Sequence, residues 1–297
     1  MQNLRKRTYK QHGFTLIELM VAVSIFFFVI AAIYESFLSQ QHVSLIQAQV
    51  SDMQQNARLA MDFLSKEIRM AGFGMPVIAV NGFSNAITPA INNNANGGNN
   101  VLIGTDQISI VTGYRQISTL ASAATQGATT ITLNSNGNQF DTNTKQYVCI
   151  DAIFSNDNYV VSGAGSNTLT LSSGLTRNYN QGAPVFLVKA ITYSVNEARF
   201  LTRNENTGGG AQTLVPNIDD LQFAYQLNDG SWSNAPAVLG NIRAVRINVL
   251  ARTSQKDPQW AGLGIRPAIE DHAAATVKDG YRRRLLTSVV EVRNLGL

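Results

Sequence analysis

Cysteine is nearly absent from this chain: Cys149 is the only one in 297 residues, so no internal disulfide can form. Its setting, Tyr147-Val148-Cys149-Ile150, is apolar and reads as a buried strand position rather than a reactive thiol. Histidine is almost as scarce. His12, His42 and His272 lie far apart without zinc-ligand spacing, and no nucleophile elbow or phosphate loop accompanies them. These absences argue against an enzyme, a metal centre and a cofactor. Charged residues make up 14% of the chain and hydrophobic ones 44%, a balance that suits a folded exported domain better than a disordered tail. The formal charge of +4 looks basic. Residues 1–13 hold no acid, however, and Arg5, Lys6, Arg7 and Lys10 within them account for the whole excess. Whole-chain charge is therefore no argument for nucleic-acid binding, and no nucleic acid is expected as a partner.

The basic leader runs into Gly13, after which Phe14-Thr15-Leu16-Ile17-Glu18-Leu19-Met20-Val21 opens an apolar run ending at Tyr34. As a helix those 21 residues would span ~32 Å, close to the hydrocarbon thickness of a bilayer. Positive charge before a membrane span predicts a cytoplasmic N-terminus and an exported remainder. An ordinary secretory signal would have an uninterrupted apolar core followed by a small-residue cut site, whereas here Glu18 breaks the start of the core. A plain signal anchor fits the length but gives no reason for the carboxylate.

Gly13-Phe14-Thr15-Leu16-Ile17-Glu18 resembles the signal of type IV prepilins and type II secretion pseudopilins. The resemblance implies that a prepilin peptidase cuts between Gly13 and Phe14, that Phe14 is N-methylated, and that Glu18 serves assembly. Physics makes sense of Glu18, since a carboxylate inside a membrane helix is costly without a partner and cleavage creates a cationic amine one helical turn away. The amine belongs either to the same chain or to a neighbouring subunit, and the resemblance implies the intersubunit pair.

Residues 35–71 contain neither proline nor glycine, and nothing stops the helix at Tyr34. Ile46, Val50, Met53, Ala57, Ala60, Leu64 and Ile68 recur at spacings of three and four, one apolar helix face. Gly72, Gly74 and Pro76 are stop signals. The predicted helix, Phe14 to Ala71, would be roughly 87 Å long. Major pilins often carry a kinking proline near the end of the membrane segment, where this chain has Glu35; that difference favours a minor subunit. The segment from Gln54 to Phe73 is similar to the end of the first helix in PilW-type minor pilins.

Asn81 to Asn100, with eight asparagines and no acid, reads as an irregular loop joining helix to sheet. Period-two alternation follows in Gln107 to Tyr114, the first predicted strand. Residues 125–188 hold short Thr-, Val- and Ile-rich segments in which Thr130-Ile131-Thr132-Leu133 and Thr168-Leu169-Thr170-Leu171 echo one another. They suggest an inserted antiparallel subdomain or small barrel. Asn156-Asp157-Asn158 reads as a turn rather than an ion site. Further on, Asn196-Glu197 and Asn228-Asp229-Gly230 mark turns, and Ile218-Asp219-Asp220 reads as turn into strand. Alternation over Ile242 to Ala251 predicts a strand with one buried face, carrying Val245, Ile247 and Val249. The strand pair around Phe223 and Val245 and the terminal Leu286 to Leu295 also look like the PilW-type head. Between Arg252 and Tyr281 a long connection carries Trp260, a candidate partner contact with local packing as its alternative. Arg282-Arg283-Arg284 reads as a solvated strand start or an interface.

The expected fold is an α+β pilin fold: a long N-terminal helix packed on an antiparallel sheet head with an inserted β subdomain. Its parts are a cleaved leader (1–13), a membrane or filament-core helix (14–34), the amphipathic half of that helix (35–73), and a periplasmic head (74–297) with an insertion (125–188). The resemblance implies a minor pilin of a type IV pilus that primes filament assembly at or near the tip. Its partners would be the prepilin peptidase, other minor pilins, the major pilin, the inner-membrane assembly platform and its lipid, with a tip adhesin open to it. Adhesion, motility and DNA uptake are all open as its biological use. The alternatives are a J-type pseudopilin of type II secretion and, from another class, a signal-anchored periplasmic binding module.

Overall fold

The computed structural model describes residues 15–73, 80–95, 100–140, 146–151 and 157–295. Its helix, α1, covers Leu16–Met70, and its residues divide between two compact units, one ending at Gln49 and the other running from Val50 to the C-terminus. The helix can be this long because no proline or glycine interrupts it. It stops where Gly72 takes φ 82°, a left-handed conformation that glycine adopts without strain. Two of its last carbonyls are satisfied from elsewhere: Thr112 Oγ1 donates to Met70 O at 2.9 Å and Asn294 Nδ2 to Ala71 O at 3.2 Å.

Within the first unit the helix is exposed from Thr15 onward, with only His42, Ile46 and Gln49 half-buried. In the second unit Met53, Ala57, Ala60, Leu64 and Ile68 are buried, the stripe that the sequence spacing picks out. Ala57 and Ala60 bring the backbone close to the sheets, and Leu64 and Ile68 fill the space beside them.

Thirteen strands follow among the described residues: β1 (Ile87–Ile91), β2 (Gln107–Thr119), β3 (Thr130–Thr132), β4 (Gln146–Ile150), β5 (Asn158–Ala164), β6 (Thr168–Leu171), β7 (Pro184–Val195), β8 (Leu201–Asn204), β9 (Ala211–Val215), β10 (Ile218–Leu227), β11 (Trp232–Ser233), β12 (Ile242–Arg252) and β13 (Arg283–Glu291). They form two antiparallel sheets. The larger runs β1-β2-β7-β4-β5-β6-β3, with β8 and β9 continuing from β7; the smaller runs β11-β10-β12-β13. Both sheets contribute to the core under α1, with Ile108, Ile110 and Ile191 from the larger and Leu221, Phe223, Val245, Ile247 and Val249 from the smaller.

The larger sheet curls back on itself at its far end. Leu120, just after β2, bridges to Leu133, just after β3, and Ala121 N donates to Thr132 O at 2.8 Å. The strands β3 to β6 thus close with the far ends of β2 and β7 around a second core that includes Ile131, Val148, Tyr159 and Leu169. Two register irregularities between β2 and β7, at Gly113/Arg115 and Gln116/Ser118, lie where one pair of strands passes from the first core to the second. The echoed threonine segments pair directly, Thr130 with Thr170 and Thr132 with Thr168.

Two expectations need correction. The asparagine-rich stretch is not wholly irregular, because Ile87–Ile91 forms an edge strand against β2. Pro89 disguises its alternation, and an edge strand tolerates a residue with no N–H to donate. Nor is β12 buried on one face only: Leu250 is 1% and Asn248 4% exposed on the side away from Val249. The 253–282 connection supplies the cover, with Glu270 receiving Arg246 and Asn248 from that outer face.

Candidate assembly interface

Gly13 and Phe14 lie outside the described residues. The first described turn of α1 is closed by a reciprocal pair. Thr15 N and Thr15 Oγ1 both donate to Glu18 Oε2 at 2.9 Å, and Glu18 N donates to Thr15 Oγ1 at 3.3 Å. This is a capping box: two backbone N–H groups that the helix itself cannot satisfy find side-chain acceptors. Glu18 therefore has a local role in the helix end. Downstream, large apolar side chains stand bare on every side of the helix, among them Leu16, Phe26, Phe27 and Phe28, the last 79% exposed. By length and composition α1 is the helix apolar enough to cross a membrane among the described residues, and none of that apolar window is buried. An unburied surface of this size marks lipid or another protein as its proper surroundings.

Trp260 sits elsewhere, in a short 3₁₀ turn (Pro258–Trp260) whose N-cap is Asp257. It is half-buried, and the Arg282 guanidinium lies over its ring with Cζ 4.4 Å from the centroid. Local packing thus accounts for much of its surface. Its free side faces a groove of about 550 Å³, which Val50 and Met53 of α1 also line together with the exposed Leu263 and Ile265.

The triple arginine is not a solvated strand start. Arg282 donates to Asp257 Oδ2 at 2.8 Å through Nη2. Arg283 is only 9% exposed and binds Asp219 Oδ2 at 2.7 Å and Asp279 Oδ2 at 2.6 Å. Its hydrogen bonds hold the Asp279 carboxyl below its usual range against the opposing effect of burial. Burial pulls Arg283 downward, but its bonds to Asp279 and Asp219 more than offset this. Arg284 is the exposed member of the three.

At the centre of this network stand Asp219 and Asp220, which belong inside β10 rather than to a turn before it. A register shift between Ile218 and Asp220 accommodates the extra residue. Asp219 receives Arg199 at 2.6 Å and Arg252 at 3.4 Å besides Arg283; Asp220 receives Arg266 at 3.1 Å and His272 Nδ1 at 2.8 Å. The only local signal is a pair of acids inside an otherwise apolar strand pattern, which implies buried cations without naming them. Asp106 completes the join between the sheets, accepting backbone N–H groups from Asn93 and from Phe223 of β10 at 2.9 and 2.7 Å. Burial pushes its carboxyl up to about 7.

Cys149 is fully buried on β4, and burial pushes its thiol up to about 12, so little thiolate exists near neutral pH. Asp157 is engaged by Arg177 Nε at 3.1 Å and by the hydroxyls of Thr176 and Tyr179, while Asn156 lies outside the described residues. Among the described residues no group of three His, Cys, Asp or Glu side chains could hold a metal ion.

Residues 180–294 match the family described as Type IV Pilus-assembly protein W, a span that takes in β7 to β13. Residues 8–34 match the prokaryotic N-terminal methylation motif. No curated protein matches the chain. Among solved structures, a type IV-like pilin from Thermus thermophilus is similar at 14% identity with a TM-score of 0.39, over 82% of this chain and 96% of that one. With a methylation motif matched at one end and a pilus-assembly domain matched at the other, the chain is similar to PilW-type type IV pilins.

Proposed function

We propose that this chain is a minor pilin that a prepilin peptidase cuts between Gly13 and Phe14, leaving an N-methylated Phe14 and a head that is carried out on the helix. Before assembly the apolar helix lies in the inner membrane with its N-terminus in the cytoplasm and the head in the periplasm; afterwards the protein belongs to the extracellular fibre. Glu18 is the assembly residue, pairing with the terminal amine of a neighbouring subunit. The methylation motif over residues 8–34 is the observation that carries the reading, because it unites glycine, cut-site phenylalanine, carboxylate and apolar helix in one segment.

The chain acts at or near the filament tip, priming assembly with other minor pilins. Support comes from the head's size: a β structure with its own core beside the main one is hard to repeat at every step of a packed shaft. An epitope tag inserted at the open hairpin tip Gly208–Gly210 and decorated with gold on sheared filaments tests the position. Label confined to filament ends is expected; regular label along the shaft overturns the tip assignment.

A further inference from the structure

Most arginines of the head are matched to a carboxylate, as Arg199, Arg246, Arg266 and Arg282 illustrate. Of the exposed ones that are not, three surround one concavity. Arg69 comes from the last turn of α1, Arg115 from β2, and Arg293 from the short turn after β13. Among the described residues none of them forms an ion pair with an acid; Arg115 Nη2 donates to the neutral Gln139 Oε1 at 2.9 Å. The concavity has a volume of about 370 Å³. Its floor is aromatic: Phe73 and Phe186 meet edge to face with centroids 5.0 Å apart and planes at 86°.

A cation in the last turn of a helix is what the negative end of its dipole favours, which accounts for Arg69 alone. Arg115 and Arg293 come from other elements, and like charges gathered round one hollow repel unless an anion joins them. Glu67, nearby on α1, does not supply that anion, because it faces Arg203 at 3.8 Å.

We infer that this pocket, ringed by Arg69, Arg115 and Arg293 and floored by Phe73 and Phe186, docks an acidic segment of a partner protein, with an apolar side chain on the aromatic floor and flanking carboxylates on the guanidinium groups. Planar guanidinium groups suit bidentate carboxylate recognition. A nucleic-acid backbone fits less well, since it asks for a track of cations along a surface rather than a single hollow with an apolar base. The inference does not depend on the filament reading, because the pocket lies wholly within the unit that runs from Val50 to the C-terminus.

Fluorescence anisotropy with the full chain in detergent micelles tests it. The probe is a labelled, end-blocked octapeptide with glutamates on both sides of a central phenylalanine. Saturable binding is expected that weakens with salt and falls about tenfold or more in an Arg115→Gln/Arg293→Gln double variant. Both arginines are exposed, so the variant is expected to keep the native circular dichroism spectrum. An Arg115→Lys/Arg293→Lys variant should retain part of the affinity. Absence of saturable binding, equal binding of the glutamine version of the peptide, or stronger binding of a short DNA duplex at the same site would each overturn the proposal.

Discussion

Asp219 and Asp220 are consecutive residues of β10, both buried, yet their carboxylates serve separate sets of partners: Arg199, Arg252 and Arg283 for the first, Arg266 and His272 for the second. Between them they fasten a strand to the connection that covers its sheet. Removing one partner of a buried ion pair leaves the other charge uncompensated, typically at a cost of ~3–5 kcal/mol. Asp220→Ala is accordingly expected to lower the stability of the head by that order in urea denaturation, and Asp220→Asn by less. A loss under ~1 kcal/mol for the alanine variant would show that water replaces the network without penalty.

Asp106 gives the head a pH dependence of definite sign. Burial places its folded-state pKa near 7, with Asp271 and Asp220 also raising it and N–H groups of Asn93 and Phe223 opposing the shift. An unfolded aspartate titrates near ~3.9, so between about pH 4 and 7 the folded protein holds a proton that the unfolded chain has released. The contribution of this group is fully present below about pH 4 and is lost as pH rises towards 7. Asp106→Asn should flatten the pH dependence of the unfolding free energy across that window relative to the parent protein, by an amount on the order of 1–3 kcal/mol. Parallel pH profiles for the two proteins would refute the assignment.

Cys149 offers a probe of the cluster that it forms on β4 with Tyr147, Val111 and Val188. With the thiol fully buried and its ionisation pushed up to about 12, iodoacetamide at pH 8 should leave the native protein unmodified and label it only after denaturation. Intact mass before and after urea reads the result. Prompt labelling of the folded protein would mean that β4 opens readily.

How far the sequence speaks depends on how local the cause is. The stripe from Met53 to Ile68 is legible because helical periodicity repeats over five buried positions. Thr130-Ile131-Thr132 and Thr168-Leu169-Thr170 are legible as echoing segments because they repeat one pattern, whereas their direct pairing is seen only in the structure. β1 is hidden, since Pro89 and the surrounding asparagines mask an edge strand whose partner lies beyond them in the chain. The partners of Asp219 and Asp220 are hidden for a different reason. Arg266 and Arg283 lie far along the chain, and no local pattern says which arginine returns to which acid. The arginine-ringed pocket is unreadable in the same way, being assembled from a helix end, a strand and a C-terminal turn.

Glu18 has two jobs that one substitution separates. A glutamine can still accept from Thr15 N in a capping box, whereas it cannot supply a negative charge to an amine. Glu18→Gln is therefore expected to keep the helix end but to enter filaments about as poorly as Glu18→Ala, with both variants still cleaved. Sheared-filament blots normalised to membrane protein measure this. Wild-type incorporation of the glutamine variant would reduce Glu18 to a cap.

The most direct measurement is mass spectrometry of the N-terminal peptide recovered from purified filaments, compared with the same peptide from cells lacking the prepilin peptidase. The account predicts a peptide that begins at methylated Phe14 in the filament fraction, and an uncut chain that still carries Gly13 and the residues before it, confined to the membrane, without the peptidase. A filament-bound chain that retains Gly13 and the residues before it, or a chain cut at Gly13 yet absent from filaments, would contradict it.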